Sequence, residues 1–204
     1  TLRSSSAASD VYKRQHVSSA QQSPKSTVLI MGDQINRGIA SLAEKTPDDT
    51  RILFIELATK FSDKQWHKQK VHLLLSALKH FAQELREEGF EVDYRIARNL
   101  GEGVKAHKRD FDVSHVIAME PMNWNGKKIL ENLDIELVRN NQFLCHYEDF
   151  AEWTANKTKF KMEDFYRWQR KRLDILMDGS TPCEGKWNFD HDNRERPPRD
   201  GREW

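Results

Sequence analysis

Cysteine is scarce in this 204-residue chain. Only Cys145 and Cys183 are present. They exclude a disulfide framework, and a cysteine-built metal site made from this segment alone. An excess of charge is also missing. Lys plus Arg number 33 and Asp plus Glu 32, a net charge of +1. This argues against a bulk nucleic-acid coat or an acidic tail, while leaving room for a local patch. No apolar run approaches the ~18–20 residues that span a membrane. Residues 1–25 carry no signal-peptide core, so a cytoplasmic setting is expected. There is no G-x-G-x-x-G turn and no G-x-x-x-x-G-K-[ST] loop, which disfavours dinucleotide binding and P-loop hydrolysis. No Ser/His/Asp grouping has a spatial argument behind it. At 37% apolar and 32% charged the chain is polar, but its apolar residues cluster and can still build a core.

The amino-terminal stretch is anomalous. Ser5-Ser6-Ala7-Ala8-Ser9-Asp10-Val11-Tyr12-Lys13-Arg14-Gln15 back-translates in frame to the adapter of a transposase-based sequencing library. Residues 1–15 are therefore read as an assembly artefact within a disordered leader, residues 1–25. The Pro/Arg/Asp-rich end from Asn193 to Trp204 suggests a gene fragment.

Between them, strand and helix alternate. Thr27 to Met31 is a continuous apolar run ended by Gly32, and Ile52 to Ile55 is another, ended by Glu56. Such runs suit strands buried on both faces. Glu91 to Ile96, His115 to Met119 and Ile135 to Val138 are further strands. Ile35 to Glu44 is expected to be a short helix. Ser62 with Gln65 resembles a capping box opening a long one. That helix carries Val71, Leu74, Leu75, Leu78, Phe81, Ala82 and Leu85 on one stripe and stops at Gly89. Glu102 to Arg109 and Lys127 to Leu133 complete the alternation. The expected fold is a Rossmann-like, doubly wound, parallel five-stranded α/β domain over residues 26–141. Residues 142–204 then form a helical and irregular linker with no strands. Tyr147 to Thr154 is one helix; Met162, Phe165, Tyr166, Gln169, Leu173, Leu176 and Met177 mark a second.

Ligands of open parallel sheets sit beyond the carboxyl ends of the strands. Three ends here bear a carboxylate: Asp33, Glu56 and Glu120. A pocket so lined suits a ring N–H or a hydroxylated chain and disfavours a bare pyrophosphate. Asp33 is equally readable as a helix cap or turn residue. His67, His72 and His80 share no ligating face and read as solvated or packing side chains. From Lys157 to Arg172, seven basic residues interleave with Phe160, Phe165, Tyr166 and Trp168. The pattern fits an amphipathic helix with a basic face, or a minor DNA contact.

Several stretches together carry a resemblance. They are Leu29-Ile30-Met31-Gly32-Asp33-Gln34, His67-Lys68-Gln69-Lys70, Ser76 to Ala82, Glu84-Leu85-Arg86, Glu120-Pro121 and Phe143-Leu144-Cys145. Met162 to Arg167, Leu176 to Gly179, Lys186 to Asp190 and Asn193-Arg194 continue it. In order and spacing the chain resembles the bacterial photolyase/cryptochrome-related flavoproteins, the branch that carries an iron–sulfur cluster. The resemblance implies an amino-terminal antenna domain holding a ribityllumazine. It implies a carboxy-terminal helical domain holding FAD and a [4Fe-4S] cluster and binding damaged DNA. The implied antenna-pocket residues are Gly32, Asp33, Gln34 and Ile35 of the first turn, and Glu56. One departure is that Phe61 to His67 lacks an aromatic where Asp63 stands, which leaves the antenna's identity open.

The chain is thus expected to be the antenna domain and linker of a monomeric photolyase-like parent that repairs ultraviolet lesions, of the (6-4) type, by light-driven electron transfer. The fragment alone should neither repair DNA nor bind FAD tightly, and Cys145 and Cys183 are not cluster ligands. Three readings compete: a light-sensing cryptochrome without repair, a stand-alone nucleotide-binding α/β protein with affinity for ATP, and a pure interaction module.

Overall fold

The computed structural model describes residues 26–62 and 65–189. The suspected leader, Asp63 and the chain beyond Phe189 lie outside the described residues. Two compact units are present, one running to Gln142 and the other beginning at Phe143.

The first unit is built on five parallel strands. They are β1 (Ser26–Ile30), β2 (Thr50–Leu57), β3 (Glu91–Ala97), β4 (Val116–Met119) and β5 (Glu136–Val138). The sheet order is β3-β2-β1-β4-β5, a Rossmann-like arrangement. β1 pairs with β2 on one side and β4 on the other, so the order reverses there. That reversal opens a crevice at the carboxyl edge. Helices α1 (Lys68–Glu87), α2 (Leu100–Phe111) and α3 (Trp124–Asn132) cover the faces.

Side-chain alternation sorts β1 and β2 between two cores. Val28, Ile30, Ile52 and Phe54 pack with Phe81, Ala82 and Leu85 of α1. Leu29 and Leu53 pack with Leu100 and Val104 of α2 and Leu130 of α3. Both faces are therefore apolar, which is why these strands read as unbroken apolar runs.

Three local expectations are corrected. The segment 35–44 is a succession of turns, not a helix; isolated turn bonds such as Ala43 N–H to the Ile39 carbonyl do not propagate, and Arg37 ties the segment together by donating to the carbonyls of Leu42 and Lys45. Ser62 does not cap α1. Its hydroxyl donates to the Thr59 carbonyl, and the cap is His67, whose side chain accepts from the Gln69 N–H. The chain past Asn141 does contain strands: β6 (Met177–Asp178) and β7 (Thr181–Pro182) form a short antiparallel hairpin.

The second unit also holds α4 (Tyr147–Thr154) and α5 (Met162–Leu173). Phe150, Trp153, Phe165 and Trp168 form one aromatic cluster between them, with Trp153 and Phe165 rings 5.2 Å apart. α5 ends where Asp174 turns left-handed, so Leu176 and Met177 lie past the helix on which their spacing had placed them. The buried Arg170 holds that turn, donating to the carbonyls of Ile175, Leu176 and Trp187.

Candidate functional site

A cavity of about 300 Å³ lies at the carboxyl ends of the strands in the first unit. This is the lower end of the range that small-molecule sites occupy, ~300–1,000 Å³. Its origin can be followed along α1. The apolar stripe of that helix divides in two. Phe81, Ala82 and Leu85 are buried in the core, whereas Leu74, Leu75 and Leu78 reach past the strand ends and wall the cavity. Trp66, just before the helix, closes another side, its ring edge-on to Phe61 at 5.5 Å.

Polar groups enter from the strand ends. Asp33 is exposed on the turn after β1, and Glu56 stands near the end of β2; both line the cavity, as does Gly32. Gly32 offers room there, since a Cβ would meet only Leu78, at 3.9 Å. Lys60 and Lys70 add positive charge to the lining, and the Lys70 ammonium lies 5.2 Å from the Trp66 ring centre. Tyr94 of β3 donates its hydroxyl hydrogen bond to Glu56 Oε2 at 2.7 Å. Burial, reinforced by that carboxylate, holds the Tyr94 phenol well above its ordinary range. The site thus joins carboxylate acceptors to an aromatic and leucine-lined wall. Such a space suits a flat ring system bearing N–H or hydroxyl donors.

The two other residues named from the sequence sit elsewhere. Gln34 is fully buried beside the cavity floor and is not part of its lining. Its amide donates to the carbonyls of Met119 and Glu120, tying the β1 turn to the end of β4. The Gln142 amide secures the same turn, donating to the Asp33 carbonyl at 2.9 Å. Ile35 packs against the α1-side core. The third carboxylate, Glu120, does not face the cavity: Lys127 pairs with it at 2.9 Å and the Asn140 N–H donates to it. Sequence reasoning missed Tyr94, Trp66, Lys60, Lys70 and the leucine wall. Two signals were available: the α1 stripe that carries Leu74, Leu75 and Leu78, and the β3 alternation, which puts Val92 and Tyr94 on the α1 face.

A Thr–His–Asp grouping does exist, although the linear sequence had suggested none. Thr27 Oγ1 lies 2.9 Å from His107 Nε2, and His107 Nδ1 lies 2.6 Å from Asp93 Oδ2. Thr27 and His107 have no exposure, and neither lines the cavity, so the hydroxyl has no route to a substrate. The grouping pins α2 to β1 and β3. Among the described residues, no three His, Cys, Asp or Glu side chains converge as metal ligands, and no helix is long and apolar enough to cross a membrane.

In the second unit the basic stretch is smaller than its sequence implies. Arg170, in the last turn of α5, is buried and spent on the carbonyls of the turn that follows. Arg167 bonds Glu163 at 3.1 Å, and Arg172 pairs with Asp149 at 3.1 Å and donates to the Leu144 carbonyl. Lys157, Lys159, Lys161 and Lys171 remain exposed.

The sheet order, the crevice at β1 and the cavity beside it define a class: a Rossmann-like α/β domain with a ligand-sized space at its strand ends. The sequence model of one family, deoxyribodipyrimidine photo-lyase-related protein, matches residues 28–203, and the chain belongs to that family. Two relatives are similar to it. A (6-4) photolyase of Agrobacterium fabrum (strain C58 / ATCC 33970) is 34% identical over 180 residues, covering 82% of this chain and 36% of that protein. An uncharacterized protein of Acanthamoeba polyphaga mimivirus is 27% identical over 172 residues, covering 74% of this chain and 86% of the viral one. The chain therefore spans little more than a third of the length of the bacterial photolyase it matches.

Proposed function

We propose that the first unit is the antenna-chromophore domain of a photolyase-like flavoprotein, and that its cavity holds a ribityllumazine-type pigment. One observation carries the reading: Asp33 and Glu56, from the ends of adjacent strands, line a single cavity whose remaining wall is mostly aromatic and aliphatic, with Lys60, Lys70 and Asn123 also in the lining. The residues fit such a group. Trp66 and the leucines would face its ring system, and the carboxylates would accept from its N–H and hydroxyl groups. When bound, the pigment would absorb light and pass the excitation on. The chain's own part is to exclude water from the ring and fix its orientation.

The parent on this reading carries FAD and a [4Fe-4S] cluster in sequence beyond this chain and repairs ultraviolet-damaged DNA, of the (6-4) kind that names the bacterial relative. Cys145 and Cys183 lie outside that cluster. Among the described residues of the second unit, exposed Lys157, Lys159, Lys161 and Lys171 are the candidates for any DNA contact, whereas Arg170 is buried and Arg172 pairs with Asp149.

Fluorescence titration of the chain tests the antenna reading. Saturable binding of ribityllumazine at one equivalent, with no binding of ATP, is the expected result. ATP binding without lumazine binding would replace the antenna with a nucleotide site.

A further inference from the structure

Glu56 is held at the cavity wall by a hydrogen bond from Tyr94. Its Oε2 accepts from Tyr94 at 2.7 Å, while Oε1 has no partner among the described residues. Tyr94 is itself anchored. β2 and β3 pair in parallel with Phe54 opposite Tyr94, and the two rings stack with centres 6.0 Å apart and planes 27° from parallel. Two residues further along β2, on the same face, stands Glu56. The phenol therefore rises from a fixed ring to a fixed carboxylate. Because burial and the carboxylate keep that phenol protonated, it donates throughout the usual pH range. The pair leaves Oε1 as an acceptor on the cavity wall.

We infer that Tyr94 is a positioning residue that aims Glu56 Oε1 at one ring N–H of the bound ligand, and so makes the cavity select heterocycles bearing a free imide N–H. This rests on the chromophore reading above and adds to it a determinant of selectivity. A methyl group on that nitrogen removes the donor and puts carbon against a carboxylate oxygen. Sites built to accept from a donor reject analogues lacking it strongly, because the buried acceptor is left unpaired.

The test pairs two ligands with three proteins. The ligands are ribityllumazine and its analogue methylated at the imide nitrogen, titrated by fluorescence. The proteins are the wild-type chain, Tyr94→Phe and Glu56→Gln, each checked for folding by circular dichroism. Wild type should prefer the N–H ligand by roughly 10- to 100-fold, the value of one hydrogen bond to a charged acceptor. Tyr94→Phe keeps the ring that stacks on Phe54, yet the preference should fall to about threefold or less as Glu56 swings free. In Glu56→Gln, Tyr94 claims the amide oxygen and leaves the NH2 facing the ligand, so the preference should vanish or reverse.

A purely structural role for Tyr94 would weaken both ligands alike and preserve their ratio, which overturns the proposal. So does a wild type that binds both ligands equally, although the chromophore reading would then survive. A wild type that binds neither ligand removes the chromophore reading and this proposal with it.

Discussion

Removing the Asp93 carboxylate should cost the first unit about 1–3 kcal/mol, a substantial part of the ~5–15 kcal/mol that holds a domain folded. The figure follows from what Asp93 touches. His107 is fully buried, and its Nδ1 faces Asp93 at 2.6 Å while its Nε2 faces the Thr27 hydroxyl. The tautomer that satisfies all three groups carries its proton on Nδ1. In Asp93→Ala that proton loses its acceptor inside the protein, a loss of about 1–3 kcal/mol. Arg95 also loses a partner but keeps Asp110, so this second loss is discounted. Asp93→Asn retains a carbonyl acceptor and should cost about half as much.

The effect should depend on pH in a defined direction. Burial opposes ionisation of Asp93, but the hydrogen bonds from His107 and Arg95 outweigh it and hold the carboxyl below its ordinary value. A depressed folded-state value means the stabilisation is complete above the unfolded-state pKa, about 4, and is lost as pH falls through the lower folded-state value. Urea unfolding followed by circular dichroism, from pH 8 down to the lowest pH at which wild type remains folded, reads the gap between wild type and Asp93→Ala. It should be constant above about pH 5 and narrow below about pH 4. A gap under about 0.5 kcal/mol at pH 7, or one that widens in acid, would refute the assignment of Asp93 as the buried acceptor.

Gly103→Ala should destabilise the domain by about 1–3 kcal/mol in the same assay, because an added Cβ would lie 2.8 Å from Ile55 Cδ1. Gly32→Leu should fold normally and lose ribityllumazine binding, since the side chain extends into the cavity beside Leu78 rather than into the core. Replacing Lys157, Lys159 and Lys161 by Ala should weaken binding to a DNA duplex. It should also flatten the salt dependence by roughly one unit of slope for each phosphate no longer neutralised. Arg170→Ala should instead unfold the turn after α5, seen as a weaker circular dichroism signal before any change in DNA affinity is interpretable.

Much of the fold was legible because both sheet faces are covered. Val28 to Ile30 and Ile52 to Ile55 suited strands buried on both faces, and the α1 stripe suited a helix. The β1–β2 connection was misread because Ile39 and Leu42 sit at helical spacing but are fixed by Arg37 and by turns. Leu176 looked like a continuation of α5, but Asp174 turns left-handed before it, and Arg170 at the end of α5 bonds the carbonyls of the turn. Of the candidate site, Asp33 and Glu56 were accessible through the rule that parallel strands bind ligands at their carboxyl ends. Tyr94 was not, since it meets Glu56 only through the β2–β3 register, 38 residues away in sequence. The same holds for Thr27 and His107, 80 residues apart. Gln34 belongs to the expected turn but plays a different part, since its amide braces β4 rather than facing the cavity.

The central claim is that a pigment occupies the space above β1 and β2. Amide chemical-shift mapping of the isotope-labelled chain during titration with ribityllumazine tests it most directly. The shifts should concentrate at Gly32, Asp33, Glu56, Leu57 and the first turns of α1, with the second unit unmoved. Shifts confined to other surfaces, or none at saturating pigment, would contradict the claim.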